Sequence, residues 1–278
     1  MTYVRGIRSS QPRIGTRKLH SMLSAVLSEN GIKRGRDKFF VLLKKEGLLV
    51  KPRRRRKMTT DSNHVYRKYP NVIREYVPNG PEQIWASDIT YVSTERGFVY
   101  VSLVTDQYSK KVMGYHVHPT LEAQGPLTAL KMAMKNRCHK ETQLIHHSDR
   151  GVQYCGDEYS TLLKRNNILI SMSAPGNPYE NAVAERVNGI FKHEFYLDSY
   201  FSTIGQVRRT LREIVSVYNN NRPHASCDYL TPEQAHWQNG ILKKRWKSYK
   251  SPSLKYIIPE DVKSALIQLT RKCHLIPA

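Results

Sequence analysis

Acidic residues are scarce in this chain of 278 residues, which has 23 Asp and Glu against 45 Lys and Arg and a formal net charge of +22. Such a basic excess argues against a metabolic enzyme with a near-neutral surface and indicates a polyanionic partner. Long apolar runs are also missing: no stretch approaches the ~18 residues of a membrane helix, and no apolar signal core follows Arg5 and Arg8. We expect a soluble, cytoplasmic protein.

Cysteine is equally sparse, with four residues spread far apart along the chain and no Cys-x-x-Cys pair. Zinc modules and disulfide frameworks both need closely spaced or densely repeated cysteines, so neither is indicated. The spacing fits a reducing compartment. The four residues are Cys138, Cys155, Cys227 and Cys273.

The basic residues are concentrated in the first part of the chain, since residues 1–80 hold 20 of the 45 basic residues but only 5 of the 23 acidic ones. A strongly basic unit attached to a less charged one favours a nucleic-acid partner, because neutralising phosphates and releasing counterions supply most non-specific binding energy. A merely solvated basic surface is the alternative interpretation.

Two short helices are predicted near the N-terminus. Apolar residues recur at three- and four-residue spacing from Arg17 to Leu27, and Asn30-Gly31 ends that pattern. A second helix begins near Gly35 and ends at Gly47, which is helix-turn-helix spacing. If the second helix enters a DNA groove, the cations around its first turn contact DNA; an ordinary helical hairpin with a charged rim fits the spacing equally well. Those cations are Lys33, Arg34, Arg36 and Lys38.

Residues 51–57 read Lys-Pro-Arg-Arg-Arg-Arg-Lys, in which six of seven side chains are cationic. No packed element could neutralise that density internally, so we interpret the segment as a linker that follows DNA, with a solvated tether as the alternative. The four arginines are Arg53, Arg54, Arg55 and Arg56. The predicted division is a helix-turn-helix domain with basic linker (1–57), a linker (58–81), a second domain (82–240) and a basic extension (241–278).

After the linker the hydrophobic period changes. Three runs rich in β-branched and aromatic residues are joined by short connections, which predicts an antiparallel meander. Helices and strands then alternate, so we expect an α/β fold whose mixed sheet carries helices on both faces. The predicted strands are 84–92, 97–104, 111–118, 143–147 and 168–173, and the predicted helices are 121–137, 159–166 and one that begins near Asn181.

Three acidic residues are notable in combination, although any lone carboxylate is usually structural. Asp88 lies inside an apolar strand, where an uncompensated carboxylate costs several kcal/mol, Asp149 directly follows a strand, and Glu185 lies on the helix after Asn181. A strand, a strand end and a helix can converge on one point, and a divalent cation would relieve the repulsion between their oxygens. Hard oxygen ligands favour Mg²⁺ or Mn²⁺; His146 and His147 keep zinc as a minor alternative.

Lys192 follows Glu185 by seven residues, which places both side chains on one helix face, with Asn188 between them. A lysine there could grip a DNA phosphate and Asn188 could contact DNA, although a surface lysine is an equally good interpretation. Other carboxylates are expected to be structural: Asp106 as a turn cap, Asp157 and Glu158 at a helix start, and Glu194 and Glu213 on solvated helix faces.

The spacing and the surrounding words together resemble a known family. Thirty-five residues lie between Asp149 and Glu185, and the chain reads Trp-Ala-Ser-Asp-Ile-Thr-Tyr at 85–91 and His-Ser-Asp-Arg-Gly-Val-Gln-Tyr at 147–154. From Ile14 to Gly240 it resembles the second-frame transposase of bacterial insertion sequences of family three, which has a retroviral-type integrase (Asp-Asp-35-Glu) core. Pro178 and Glu180 depart from that family's loop pattern.

The resemblance implies a ribonuclease-H-like core that binds two divalent ions, Mg²⁺ or Mn²⁺, through Asp88, Asp149 and Glu185. It implies cleavage at element ends and transfer of the freed 3′-hydroxyl to a second phosphodiester, with Lys192 matching the family's lysine after the glutamate. The implied partners are double-stranded DNA (terminal inverted repeats and target), further copies of the chain and an upstream-frame product, in a nucleoid-associated bacterial setting.

Two other functions stay open from the sequence. The chain could recognise element ends and act as a regulator that is inactive without the upstream-frame partner. It could also be a ribonuclease-H-like nuclease with no joining step. A Tyr or Ser recombinase lacks a supporting constellation, and Tyr108 and Tyr154 are interpreted as packing or DNA-stacking residues.

Overall fold

The computed structural model describes residues 1–32, 35–50, 65–74, 76–174 and 180–245. Several predicted DNA contacts lie outside these ranges, as does most of the predicted basic extension. They are Lys33, Arg34, Arg53, Arg54, Arg55, Arg56 and residues 246–278.

Three N-terminal helices surround a small apolar core of their own. Helices α2 (Thr16–Glu29) and α3 (Arg36–Lys45) confirm the predicted pair, and Gly31 ends α2 with a left-handed φ of 68°. Helix α1 (Thr2–Ser10) was not predicted, because Val4 is its one buried residue and leaves no apolar stripe in the sequence. The core residues are Val4, Ile14, Leu19, Leu23, Phe39 and Leu43.

The predicted mixed sheet is confirmed, with strand order β3-β2-β1-β4-β5. The first three strands pair antiparallel, whereas β4 and β5 run parallel to β1. The strands are β1 (Ile84–Thr94), β2 (Gly97–Asp106), β3 (Val112–His118), β4 (Ile145–Ser148) and β5 (Leu169–Met172). The helices are α4 (Gln124–Lys135), α5 (Val152–Cys155), α6 (Asp157–Arg165), α7 (Ala182–Glu194), α8 (Ile204–Asn221) and α9 (Pro232–Ala235).

Helices cover both faces of this sheet, as expected for strands with apolar residues on either side. On one face, Val101 and Leu103 of β2 pack with Phe191 of α7 and Leu211 of α8. The other face holds a second apolar cluster built around α4 and α6, which includes the completely buried Trp85. Tyr154 packs in this second cluster and Tyr108 is also buried, so both tyrosines are packing residues.

Segments before and after the sheet in sequence pack against the start of β1. Ile73, in the predicted linker, is buried with Ile84 and Ile145. Downstream, His236 follows α9 and its Nε2 lies 3.2 Å from Oε1 of the buried Glu82. Within the part of the chain that the structure describes, no helix has the length and apolar character to cross a bilayer.

Candidate active site

Asp88 and Asp149 lie side by side because of the register between two parallel strands. Trp85 pairs with His146 and Ala86 with His147, and the same register continued by two residues brings Asp149 level with Asp88. Asp88 lies in the middle of β1, whereas Asp149 directly follows the last residue of β4. Open sheets form their sites at such carboxyl ends of parallel strands.

Helix α7 brings the third acid to this edge of the sheet. Asn181 precedes the helix and donates its Nδ2 to the carbonyl oxygen of Ser87, 3.0 Å away, while Glu185 lies in the first turn. One turn further on, Asn188 donates its Nδ2 to Asp88 Oδ2 at 2.8 Å. Helix α7, which carries Glu185, is therefore hydrogen-bonded to β1 at two consecutive residues, Ser87 and Asp88.

The electrostatics of the site show that the acids interact. Burial, followed by the charge of Asp149 and more weakly by that of Glu185, raises the pKa of Asp88 to about 7. The hydrogen bonds that Asp88 accepts from Asn188 and from the Ile89 amide act in the opposite direction, because they favour the ionised form. Burial and Asp149 also raise the pKa of Glu185. The structure thus places Asp88, Asp149 and Glu185 close enough to one another to interact electrostatically at this edge of the sheet.

The donor set fits a divalent cation in its chemistry, because hard carboxylate oxygens that repel one another bind Mg²⁺ or Mn²⁺. The acids do not form a preassembled cage: across the described ranges, no group of three or more His, Cys, Asp or Glu side chains has the arrangement to hold a metal ion. Asp149 is instead drawn toward its own loop, where its Oδ1 accepts a 3.0 Å hydrogen bond from the Gly151 amide.

Two buried histidines support the strands rather than the acids. His146 Nε2 lies 2.7 Å from Ser87 Oγ and 2.9 Å from the Tyr159 hydroxyl, and His147 Nδ1 lies 2.9 Å from Ser171 Oγ. Burial lowers the pKa of His146 to about 3 and that of His147 to about 4, so both rings are neutral. Their contacts with hydroxyl groups give no support to the zinc alternative.

The comparisons with known proteins agree with this geometry. Residues 78–178 match the Integrase core domain family, and a second model of the same description matches residues 166–232. The chain is 35% identical to transposase InsF of insertion sequence IS3A from Escherichia coli (strain K12) over 194 residues, 69% of this chain and 67% of that protein. The chain belongs to the IS3-type transposase family.

Another relative of this IS3-type transposase is the uncharacterized 31 kDa protein of insertion element IS600 from Shigella sonnei. It is 34% identical over 220 residues, which are 78% of this chain and 79% of that protein. The fold resembles a chain of the simian T-cell lymphotropic virus intasome in complex with PP2A regulatory subunit B56 gamma, with a TM-score of 0.51 and 18% identity over 86% of this chain and 80% of that one. The ribonuclease-H-like fold and the transposase function, that of a polynucleotidyl transferase, are therefore confirmed.

Two predicted DNA-contacting residues of the transposase have a partner within the protein. Asn188 holds Asp88, as described above, and so acts on the acid. Lys192 lies one turn further along α7, and its Nζ is 4.4 Å from the centre of the Tyr91 ring. Sequence reasoning missed this use of Asn188 and the part played by Tyr91, since neither pairing leaves a local pattern. On α3, Arg36 and Lys38 are exposed, and Arg36 forms a 2.9 Å ion pair with Asp37.

The far end of α7 contradicts one prediction. Glu194 does not lie on a solvated face: it is 3.0 Å from Lys18 Nζ of α2 and 2.9 Å from Arg222, which follows α8. Burial would raise its pKa, but Arg222 and Lys18 together lower it to about 2. The prediction failed because both cations are distant in sequence. The companion prediction for Glu213 is confirmed, since that residue is exposed.

Proposed function

We propose that Asp88, Asp149 and Glu185 are the catalytic acids with which this transposase cuts the ends of its element. In the first step, water attacks the scissile phosphodiester and a 3′-oxygen leaves as a hydroxyl. In the second step, that hydroxyl attacks a target phosphodiester, so one P–O bond forms as another breaks. The observation that carries the proposal is the register of the parallel strands β1 and β4, which brings Asp149 level with Asp88. Burial and this neighbouring charge raise the pKa of Asp88 to about 7, so a cationic ligand would favour its ionised form.

The same three carboxylates are the proposed ligands of two divalent ions, Mg²⁺ or Mn²⁺. When bound, the ions supply positive charge to the attacking and leaving oxygens of the phosphoryl transfer. The protein's own contribution is orientation: Asn188 holds one oxygen of Asp88, and Asn181 ties the start of α7 to β1. Neutralising the acids also favours binding of a DNA phosphate, which the carboxylates alone would repel.

DNA contacts are proposed for three parts of the chain. The exposed Arg36 and Lys38 at the start of α3 fit a helix that enters a groove, and the basic run at 53–56 fits phosphate contacts. Lys192, on the same helix as Glu185, is proposed to bind a phosphate near the site. Two element ends have to be held together for joining, so we propose that the active form contains several copies of the chain, with an upstream-frame product as a further partner.

Strand transfer by an Asp149→Asn variant tests the proposal. With Mg²⁺ or Mn²⁺ and a duplex carrying the element's terminal inverted repeat, we expect cleavage and joining to fall by about 100-fold or more while DNA binding is retained. Asp157→Asn, which alters an exposed acid in the first turn of α6, serves as the matched control and keeps activity.

Each other outcome has a definite meaning. Full activity of Asp149→Asn would exclude the acid from catalysis and overturn the proposal. A wild-type chain that binds the repeat but cuts it only after the upstream-frame product is added would support the regulatory alternative. Cleavage without any joined product would support the simple nuclease.

A further inference from the structure

Two aromatic side chains lie together on the outer surface of the β1–β2 hairpin. The rings of Tyr91 and Phe98 meet edge to face, with centroids 5.1 Å apart and planes at 71°. The side chains of Val92 and Val99, next to them in sequence, belong to the apolar core, so strand alternation turns Tyr91 and Phe98 outward. Tyr91 is 39% exposed and Phe98 is 57% exposed, which leaves apolar ring surface in contact with solvent.

A cation completes this surface. Lys192 Nζ lies 4.4 Å from the centre of the Tyr91 ring, within the range of a cation–π interaction. Lys192 belongs to α7, whereas the two rings belong to the hairpin, so the contact ties the aromatic pair to the helix that carries Glu185. Phe98, the more exposed ring, is the face that is left open to a ligand.

Strand alternation places Tyr91 on the face of β1 opposite to Asp88, so the link between the surface and the proposed catalytic acids is α7, whose Lys192 reaches the Tyr91 ring. On β1, Tyr91 follows Asp88 by three residues, which is about 10 Å of extended chain. On α7, Lys192 lies about one turn beyond Asn188, whose amide holds Asp88. A distance of about 10 Å corresponds to roughly three stacked nucleotides of one DNA strand. Because β4 pairs only with Ile84, Trp85 and Ala86 of β1, a strand that crosses the acids can pass the edge of β1 beyond them and reach the aromatic pair.

We propose that Phe98, supported by Tyr91 and Lys192, is a stacking platform for an unpaired base of the DNA strand being cut or joined. The proposal rests on the proposed function, because the acids fix where that strand runs. An aromatic face beside a cation, on a protein of net charge +22, is complementary to a base joined to its phosphate. Stacking requires no particular base, so the platform positions frayed or single-stranded ends without reading sequence.

The experiment compares two DNA probes with the full chain in chelator, so that no cutting occurs. One duplex has a short single-stranded overhang that contains 2-aminopurine, a base whose fluorescence falls on stacking, and the other is blunt and otherwise identical. We expect the wild-type chain to bind the overhang probe more tightly and to quench its fluorescence. Phe98→Ala should lose most of the quenching and bind the overhang probe about 5- to 100-fold more weakly, with unchanged affinity for the blunt duplex.

Two further variants separate the stacking of a base on an aromatic ring from contact with an apolar side chain in general. Phe98→Leu keeps apolar area but not the ring, and should behave like Phe98→Ala, whereas Tyr91→Phe keeps both rings and should behave like the wild type. Trp237→Ala is the matched control, since Trp237 is 60% exposed but lies beside His236 near the start of β1, away from Tyr91. It should change neither probe's affinity.

Three results would overturn the proposal: equal losses for blunt and overhang probes, quenching that survives in Phe98→Ala, or self-association of the wild-type chain that Phe98→Ala abolishes without any effect on the overhang probe. The last would make the pair a contact between copies of the chain. The two proposals fail in different experiments. If Asp149→Asn retains strand transfer, the proposed catalytic acids are wrong, whereas the platform is wrong only if Phe98→Ala retains the quenching of 2-aminopurine.

Discussion

Helix α7 carries a glutamate near each end, and the two have opposite environments. Glu185, in the first turn, has its pKa raised by burial and by Asp149. Glu194, at the last residue, has its pKa lowered to about 2 by Arg222 and Lys18 in spite of burial. The acids at the first end of the helix therefore raise one another's pKa, whereas two cations pair with the glutamate at the other end.

The helix dipole would predict the reverse order. A carboxylate is favoured near a helix N-terminus and disfavoured near the C-terminus, by about 0.3–1 kcal/mol in each case. The lowering of the Glu194 pKa from 4.5 to about 2 corresponds to roughly 3 kcal/mol, which exceeds the dipole effect. Direct ion pairs and neighbouring acids therefore decide the charge at the two ends, and the dipole is a minor correction.

The largest expected effect comes from removing the paired glutamate. Glu194→Ala leaves Lys18 and Arg222 facing each other in a partly closed site, and Arg222 is only 1% exposed. We expect the free energy of unfolding at pH 7 to fall by about 3–5 kcal/mol, measured by urea denaturation. The contribution of this carboxylate is present above its ordinary pKa of 4.5 and is lost as the pH falls toward about 2.

Glu213→Ala provides the matched control, because Glu213 is an exposed glutamate on the neighbouring helix α8. Its unfolding free energy should stay within about 0.5 kcal/mol of the wild type. A loss below about 1 kcal/mol for Glu194→Ala would mean that solvent screens the ion pairs, and the contrast between the ends of α7 would disappear.

Local patterns in the sequence predicted the secondary-structure elements well and singled out three acids. Runs of β-branched residues marked β1, β2 and β3, and periodic apolar residues marked α2 and α7, because each pattern comes from one face of one element. The acids were recognisable for a related reason: a carboxylate inside the apolar strand β1 has no local explanation. Their family spacing then predicted that the three acids form one site, which stays a prediction.

Contacts between distant segments could not be predicted in this way. Lys18 and Glu194 are 176 residues apart, and Asn188 and Asp88 are 100 apart, so no window of sequence contains both members of either pair. Glu194 on its own looks like any charged residue at a helix end. The ion pairs depend on how the N-terminal helices pack against α7, which is a property of the tertiary structure.

Removing the charge of Asp88 should have a smaller effect of the opposite sign. Because its pKa in the folded protein is about 7, against 3.8 ordinarily, the ionised form destabilises the native state. In chelator at pH 8, we expect Asp88→Asn to raise the free energy of unfolding by roughly 1–2 kcal/mol, less than the full shift implies because the side chain is partly exposed. Strand transfer should be lost.

The pH dependence and the metal response provide the check on Asp88. Between about pH 4 and 7 the folded chain binds a proton at Asp88 that the unfolded chain does not, so wild-type stability rises as the pH falls and the gap to the variant closes. Mg²⁺ should raise the melting temperature of the wild type at pH 8 but not that of Asp88→Asn. An equal response of both proteins would place the cation elsewhere.

The smallest effect is expected at Lys18, although it lies in the same cluster as Glu194. Burial and the charge of Arg222 lower the pKa of Lys18 to about 8 in spite of Glu194, so the charge of Lys18 destabilises the folded state. Lys18→Met removes that charge and leaves Arg222 and Glu194 as an ion pair with no net charge. The unfolding free energy at pH 7 should change by less than about 1 kcal/mol, as for the exposed control Lys131→Met.

Wild-type stability should rise between about pH 8 and 10.5, where the unfolded chain binds the extra proton, and Lys18→Met should lack that rise. A loss above about 2 kcal/mol would show that Glu194 needs both cations, and that the neutralised end of α7 depends on the N-terminal helices.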